Sequence, residues 1–434
     1  MINNLISDNI AGKKTMPIKD IVLSFIFIFS FFFHQFSSFV PGVTLGELLL
    51  IAGSLFIIIF NYKSLRIEKT LPLIIIYFFS LLFSFITIHS YNNPFSLESS
   101  TTIFSRFVRY GAYLLFFVSF CDNFRPNSSF YKIYEYSCLV ISVYAILQFV
   151  FYYAFHVFLP YNILPFLNRP RDLTSNYMLN MADSNYFRSY GVFDEPAYLA
   201  EFLIPYFILK MFNYQKKFNS VFCLFLVVLA ILFSASVQGI VMMIVGFACF
   251  ILFRSKREKK DLIFTLVLLF VIGALGFIFL NTSIGARVFA KLLRIGNANQ
   301  GDYSIKLRLF RGFALFGELD VLHKFFGVGM GNAANFSYAN NIYTDFDYVV
   351  RSASNLEYMS GLSRVLVENG LLIFIVFAIF LILLFMRSKS SGKTLIIVYF
   401  LLLVSGSGLF TLESIFYVFL ILNCSNRIIF KNAK

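Results

Sequence analysis

GLLIFIVFAIFLILLFMRSKSSGK, residues 370–393, decides the fold. From 371 to 386 no residue is charged, and Arg387, Lys389 and Lys393 follow at once. A run of this kind reads as an α-helix crossing ~30 Å of hydrocarbon, which takes about 20 residues at a rise of ~1.5 Å each. The cations at its end mark the cytoplasmic edge, where Lys and Arg collect.

The same pattern recurs along the chain. Apolar runs lie near 20–38, 44–60, 71–89, 107–121, 133–158, 197–213, 219–234, 237–253, 262–281, 362–386, 394–409 and 410–424, which predicts about twelve spans. The 434 residues are 59% hydrophobic and 13% charged, and sixty phenylalanines exceed what one soluble core could hide. The expectation is an all-α integral membrane protein, a single polytopic domain over residues 1–434. Basic residues occupy alternate connections, among them Lys63, Arg66 and Lys69, then Lys216 and Lys217, then Arg254 to Lys260. Both termini are therefore expected in the cytoplasm, and no small-residue cleavage site follows 21–33 to suggest a removable signal. The net charge of +14 is thus accounted for by topology, and nucleic acid is not an expected partner.

Five cysteines without CxxC spacing and four dispersed histidines suggest neither a disulfide framework nor a metal site. Glu47, Glu135, Glu201 and Glu368 fall inside apolar runs, where a carboxylate is costly, and are expected to face the bundle interior.

Two external connections are long and polar, residues 159–196 and 282–361. The first contains NRPRD at 168–172 and ends in RSYGVFDEPAYLAEF, residues 188–202. Pro196 suits the first turn of a helix, and Asp194 or Glu195 before it would complement the positive helix end. Glu195 has a second reading as a catalytic or acceptor-facing group, one turn from Tyr198 and Leu199. Arg188 could be an interfacial anchor or an anion ligand. In the second loop, Leu309, Phe313 and Phe316 recur at helical spacing while Arg308 and Arg311 lie three apart on another face. Residues 304–326 therefore predict one amphipathic helix on the membrane surface. It runs into GVGMGN, residues 327–332, whose three glycines allow a sharp turn but are not followed by the GK[ST] of a nucleotide-binding loop.

Taken together, Arg188 to Pro196, Ser234 to Gly239 (S-x-S-x-x-G), Ser304 to Asn332 and Glu368-Asn369-Gly370, the last similar to the family's E-x-G at the start of the span after the large loop, resemble the motif series of the O-antigen polymerase and O-antigen ligase superfamily. The resemblance covers residues 180–386 by motif and the whole chain by topology. It implies a helical glycosyltransferase architecture similar to the GT-C type, working without metal or cofactor at the periplasmic face of the inner membrane. The substrate it implies is an oligosaccharide on polyprenyl (undecaprenyl) diphosphate, in contact with membrane lipid, and a polysaccharide chain-length regulator is a further candidate partner. By position, Arg188 and Arg308 match the family's loop arginines and would grip the departing diphosphate, with Arg311 as an additional candidate. Tyr198 is a candidate substrate contact and Glu195 a candidate base or acceptor positioner. Ligases of the superfamily carry a histidine eleven residues before the glycine of E-x-G. Here that place is Met359, which favours an O-antigen polymerase over a ligase; another exopolysaccharide or capsule polymerase, differing mainly in its acceptor, is an alternative, and inversion at the anomeric carbon is what the resemblance implies. A flippase or transporter is the alternative from another class, and would gather polar groups at the bilayer midplane.

Overall fold

The computed structural model describes residues 18–39, 43–61, 65–67, 70–88, 109–121, 123–124, 126, 128–160, 164, 167, 187–213, 218–254, 273, 281–282, 285–286, 290, 307–346, 359–406 and 411–424. Among them the protein is all-helical, and the one β-type contact is an isolated bridge between Ser37 and Thr44. Eight helices precede the second loop: α1 Ile18–Phe33, α2 Leu45–Asn61, α3 Leu71–Ile88, α4 Arg109–Cys121, α5 Ser128–Phe155, α6 Pro196–Phe212, α7 Phe218–Phe233 and α8 Val237–Phe253. Three short ones lie within it, α9 Gly312–Glu318, α10 Val321–Phe326 and α11 Ala333–Ala339. Three more follow, α12 Gly361–Arg387, α13 Ser390–Ser405 and α14 Leu412–Cys424.

Each long helix coincides with an apolar run, because such a segment can hide its backbone polar groups only by bonding them internally. Two helices, Ser129–Phe155 and Gly361–Arg387, are long and apolar enough to cross a membrane, and several others are apolar but shorter. The expected span at 262–281 falls almost wholly outside the described residues, as does NRPRD at 168–172.

Aromatic rings fill the centre. Phe27 of α1 meets Phe419 of α14 at a centroid distance of 4.5 Å, and Phe116 of α4 at 5.3 Å. Tyr134 of α5 stands edge-on to Phe202 of α6 at 5.3 Å, and its hydroxyl donates to the Phe202 carbonyl at 2.6 Å. Tilted and edge-on pairs of this kind each contribute about 0.5–1.5 kcal/mol beyond area burial.

The helix ends sort into two groups. At one end His34 meets Thr44 at 2.9 Å, Ser84 Oγ accepts from Met330 N at 2.7 Å, and Arg188 reaches Ser234. At the other, Asn123 accepts from Arg66 N at 2.8 Å, Lys210 pairs with Glu135 at 2.6 Å, and Lys389 N donates to Cys424 O at 3.5 Å. The first end gathers the loop motifs. Arg66, Lys210 and Lys389 stand at the second.

Two local expectations are revised. The single helix expected over 304–326 is interrupted within its described part, 307–326: a π-helical segment Leu307–Arg311 leads into α9, the chain extends at Leu319 and Asp320, and α10 starts afresh. Asp320 causes the restart, since its carboxylate caps α10 by accepting from His323 N at 2.9 Å. Also, Glu368-Asn369-Gly370 lies well inside α12 and not at its beginning. Gly370 takes φ 76° and ψ 174°, which breaks α12 into two rods. The break is built by the glycine loop: Val328 N donates to Val367 O and Gly329 N to Glu368 O, both at 3.0 Å. A β-carbon on Gly327 would overlap Glu368 O, and one on Gly370 would overlap Phe325 O, so this backbone pairing requires glycine on both sides.

Candidate functional site

Arg188 is held by what surrounds its backbone. Tyr153 of α5 exchanges hydrogen bonds with Phe187, accepting from its N at 3.0 Å and donating to its O at 3.1 Å. Three residues on, Gln148 donates to Gly191 O and accepts from Gly191 N, both at 2.8 Å. Between these clamps Ser189 N bonds Phe233 O at 3.1 Å. The Arg188 side chain is thereby turned toward the start of α8, and its Nε donates to Ser234 O at 3.1 Å.

That start is itself tightly specified. Ser236 caps α8 by accepting from Gly239 N at 3.2 Å. Gly239 lies so close to α6 that a β-carbon would overlap that of Ala200. Gln238, one residue earlier, donates through Nε2 to Glu201 Oε1 at 2.8 Å. The S-x-S-x-x-G segment is thus the joint between α6, α8 and the first loop.

Arg308 reaches the same joint from the second loop. Its carbonyl accepts from Ser360 N at 2.7 Å, and Gly312 abuts Ser363, which docks this segment on the start of α12. A β-carbon placed on Gly406 would lie 3.8 Å from both Arg308 Nη1 and Gln238 Oε1, so the two groups are within twice that distance of each other. Arg308 is partly exposed, whereas Arg311 is wholly buried.

Glu195 is the N-cap residue of α6 and Pro196 its first helical residue, but the Glu195 side chain makes no capping bond. Tyr198 and Glu201 follow at three-residue spacing on α6, so Glu195, Tyr198 and Glu201 run along one face. Tyr198 and Asp194 line a cavity of 220 Å³ that also touches His34, Arg109 and Glu413. The structure therefore brings Arg188 and Arg308 to one joint, puts Tyr198 on the wall of a separate cavity, and sets Arg311 in the interior.

Sequence reasoning missed several participants. Gln238 lies inside the S-x-S-x-x-G segment at a position the motif does not specify, and Glu413 and Arg109 belong to no motif. Of the four interior glutamates, Glu47 is 0% exposed, Glu201 2% and Glu368 4%, as their cost in an apolar setting demands, while Glu135 is half-buried with Lys210. Met359 lies in a small apolar cluster with Leu315, Val328, Phe336 and Val367. Among the described residues no three His, Cys, Asp or Glu side chains form a group that could hold a metal ion.

The sequence matches no protein-family model, and no curated protein matches it.

Proposed function

We propose that this chain is a glycan polymerase of the bacterial inner membrane, resembling the O-antigen polymerases. It would move a growing glycan from polyprenyl diphosphate onto the next lipid-linked repeat. In this reading the twelve-span topology puts both termini in the cytoplasm and the two long loops in the periplasm.

One observation supports it above the others: Arg188 and Arg308, from loops about 120 residues apart, come to one joint at the start of α8. Two permanently charged, planar guanidiniums there suit the oxygens of a departing diphosphate, which each can grip through paired hydrogen bonds. Positive charge fixed where an anion develops is commonly the largest catalytic contribution. The reaction is a single displacement: the acceptor hydroxyl attacks the anomeric carbon as the bond to phosphate breaks, which inverts the configuration. The loop motifs gather at one end of the bundle, which favours an enzyme over a transporter with a midplane site.

Deleting the gene tests this. The expected product is a surface glycan one repeat long in place of a ladder, with the ladder restored by the wild-type gene. Lipid-linked full-length polymer accumulating beside an unmodified core would instead identify a ligase. Lipid-linked repeats trapped on the cytoplasmic side would identify a flippase.

A further inference from the structure

We propose that the cavity bounded by Gln35, Asp194, Tyr198, His34 and Glu413 holds the terminal sugar of the acceptor glycan, with Glu413 taking the proton from its attacking hydroxyl and His34 orienting that hydroxyl. This rests on the glycan-transfer reading above and assigns the half of the reaction that the arginines do not serve.

Size is the first argument. At 220 Å³ the cavity falls below the roughly 300–1,000 Å³ of sites for drug-sized ligands. It is sized for one ring at the end of a chain, not for an oligosaccharide.

Charge is the second. Arg109 contributes its guanidinium to the wall, but its Nε is 2.7 Å from Glu47 Oε1, and Glu47 is wholly buried. Both Glu47 oxygens are engaged, Oε1 also accepting from Tyr113 OH at 2.6 Å and Oε2 from Thr44 N at 2.8 Å. The Arg109 guanidinium is thus committed to Glu47, and the cavity wall also carries the carboxyl groups of Asp194 and Glu413.

The walls have the mixed character that sugars need. Phe31 and Phe193 stand edge-to-face at 5.7 Å and 89°, offering apolar surface to ring C–H groups. Gln35 Oε1 is a buried acceptor without a hydrogen-bond partner among the described residues, and a sugar hydroxyl would supply one.

The proton has a defined route. Thr44 Oγ1 lies 2.9 Å from His34 Nδ1, and the step requires the tautomer in which the Thr44 hydroxyl donates to Nδ1 and His34 carries its proton on Nε2. His34 Nε2 lies 4.0 Å from Glu413 Oε1. That gap is too long for a direct hydrogen bond and right for one oxygen that bonds to both. An acceptor hydroxyl there receives from Nε2–H and donates to Glu413. As its oxygen bonds to the anomeric carbon, its proton passes to Glu413, and the carbon–oxygen bond to phosphate breaks with its electron pair leaving on the diphosphate. The leaving side is reached along α6: Tyr198 on the cavity wall is one turn from Glu201, which accepts from Gln238, and Gln238 and Arg308 both approach Gly406.

The test uses the purified full-length chain in detergent. Its substrate is lipid-linked repeat extracted from cells lacking the protein, and bare undecaprenyl diphosphate is the probe of the leaving-group site. Glu413→Gln should lower kcat roughly 10²- to 10⁴-fold, the usual contribution of a general base, while undecaprenyl diphosphate binds as to wild type. His34→Gln, which keeps a donor, should retain more activity than His34→Ala. Gln35→Ala should raise acceptor KM more than it lowers kcat. Wild-type turnover in Glu413→Gln overturns the assignment even with diphosphate binding intact. Should undecaprenyl diphosphate bind equally to wild type, Arg188→Ala and Arg308→Ala, the glycan-transfer reading fails first and takes this one with it.

Discussion

Replacing Arg188 by lysine separates two things the arginine does. Its Nε–H donates to Ser234 O at 3.1 Å, which fixes the guanidinium plane against the start of α8 and leaves the two terminal nitrogens for a ligand. Lysine keeps the charge but has no donor at that branch point, so the head group loses its anchor. A hydrogen bond from a charged donor contributes about 1.5–3 kcal/mol. If all of that is felt in the transition state, Arg188→Lys slows chain extension roughly 10- to 150-fold. Arg188→Ala removes the charge as well, and losing a buried charge-assisted contact costs about 2–5 kcal/mol, or roughly 30- to 5,000-fold. The alanine variant should therefore give single repeats and the lysine variant a shortened ladder. Polymer length on a gel, read beside an immunoblot of membrane protein, measures both. Full-length ladders from Arg188→Ala at normal abundance would reduce Arg188 to a headgroup anchor and remove the main support for the glycan-transfer reading. Equal loss in the two variants would say that the planar fork, not the charge, does the binding.

Three further outcomes follow from the packing. Gly239→Val forces a β-branched side chain against Ala200 and should cost about 1–3 kcal/mol of stability as overpacking does, seen as a lower Tm in detergent and reduced abundance. Gly370→Ala adds a left-handed φ of 76° to a clash with Phe325 O, and should destabilise by about 1–3 kcal/mol; hydrogen exchange should then show residues 325–331 released from α12. Partial burial pushes the Asp320 carboxyl up, but bonds from His323 N and Nδ1, the imidazole charge and Leu322 N outweigh it and hold the group below the usual carboxylate range. A depressed carboxyl stabilises above its unfolded value and loses that contribution as pH falls through the folded one, so protection of residues 321–326 should fade at acidic pH. Asp320→Asn, which still caps, should flatten that dependence.

What the sequence made legible is what one helix can express alone. An apolar run such as 371–386 must bond its own backbone wherever it is buried, so its position is fixed without knowing its neighbours. The Gly370 break is different. ENGLL looks like the polar lip of a span, and only the pairing of Val328 and Gly329 with Val367 and Glu368, about 40 residues away in sequence, turns it into a hinge between two rods. Arg308 and Arg311 show the same limit at the scale of one turn. Helical spacing put both on a shared face, but the π-helical segment that begins at Leu307 shifts the register, leaving Arg308 at the joint and Arg311 inside.

The cavity was the least legible part, because each helix contributes one or two polar residues to it and none forms a motif. His34 closes one apolar run and Glu413 opens another 379 positions later. Neither is informative until α1 and α14 are packed, when the Phe27–Phe419 contact sets their relative height and brings the two ends together. Such a cluster is costly to bury and lies beside the charged joint, so a purely structural role would be met more cheaply by apolar residues of similar volume. The physical expectation is therefore that the Glu47–Arg109 pair keeps the cavity shaped. Glu47→Gln removes the carboxylate charge 2.7 Å from Arg109 Nε and makes the cavity more positive. It should weaken acceptor binding more than it weakens turnover of the bound complex, and kcat and KM measured separately decide that. A loss confined to kcat would mean that Arg109 acts on the leaving group, and would move the diphosphate into the cavity.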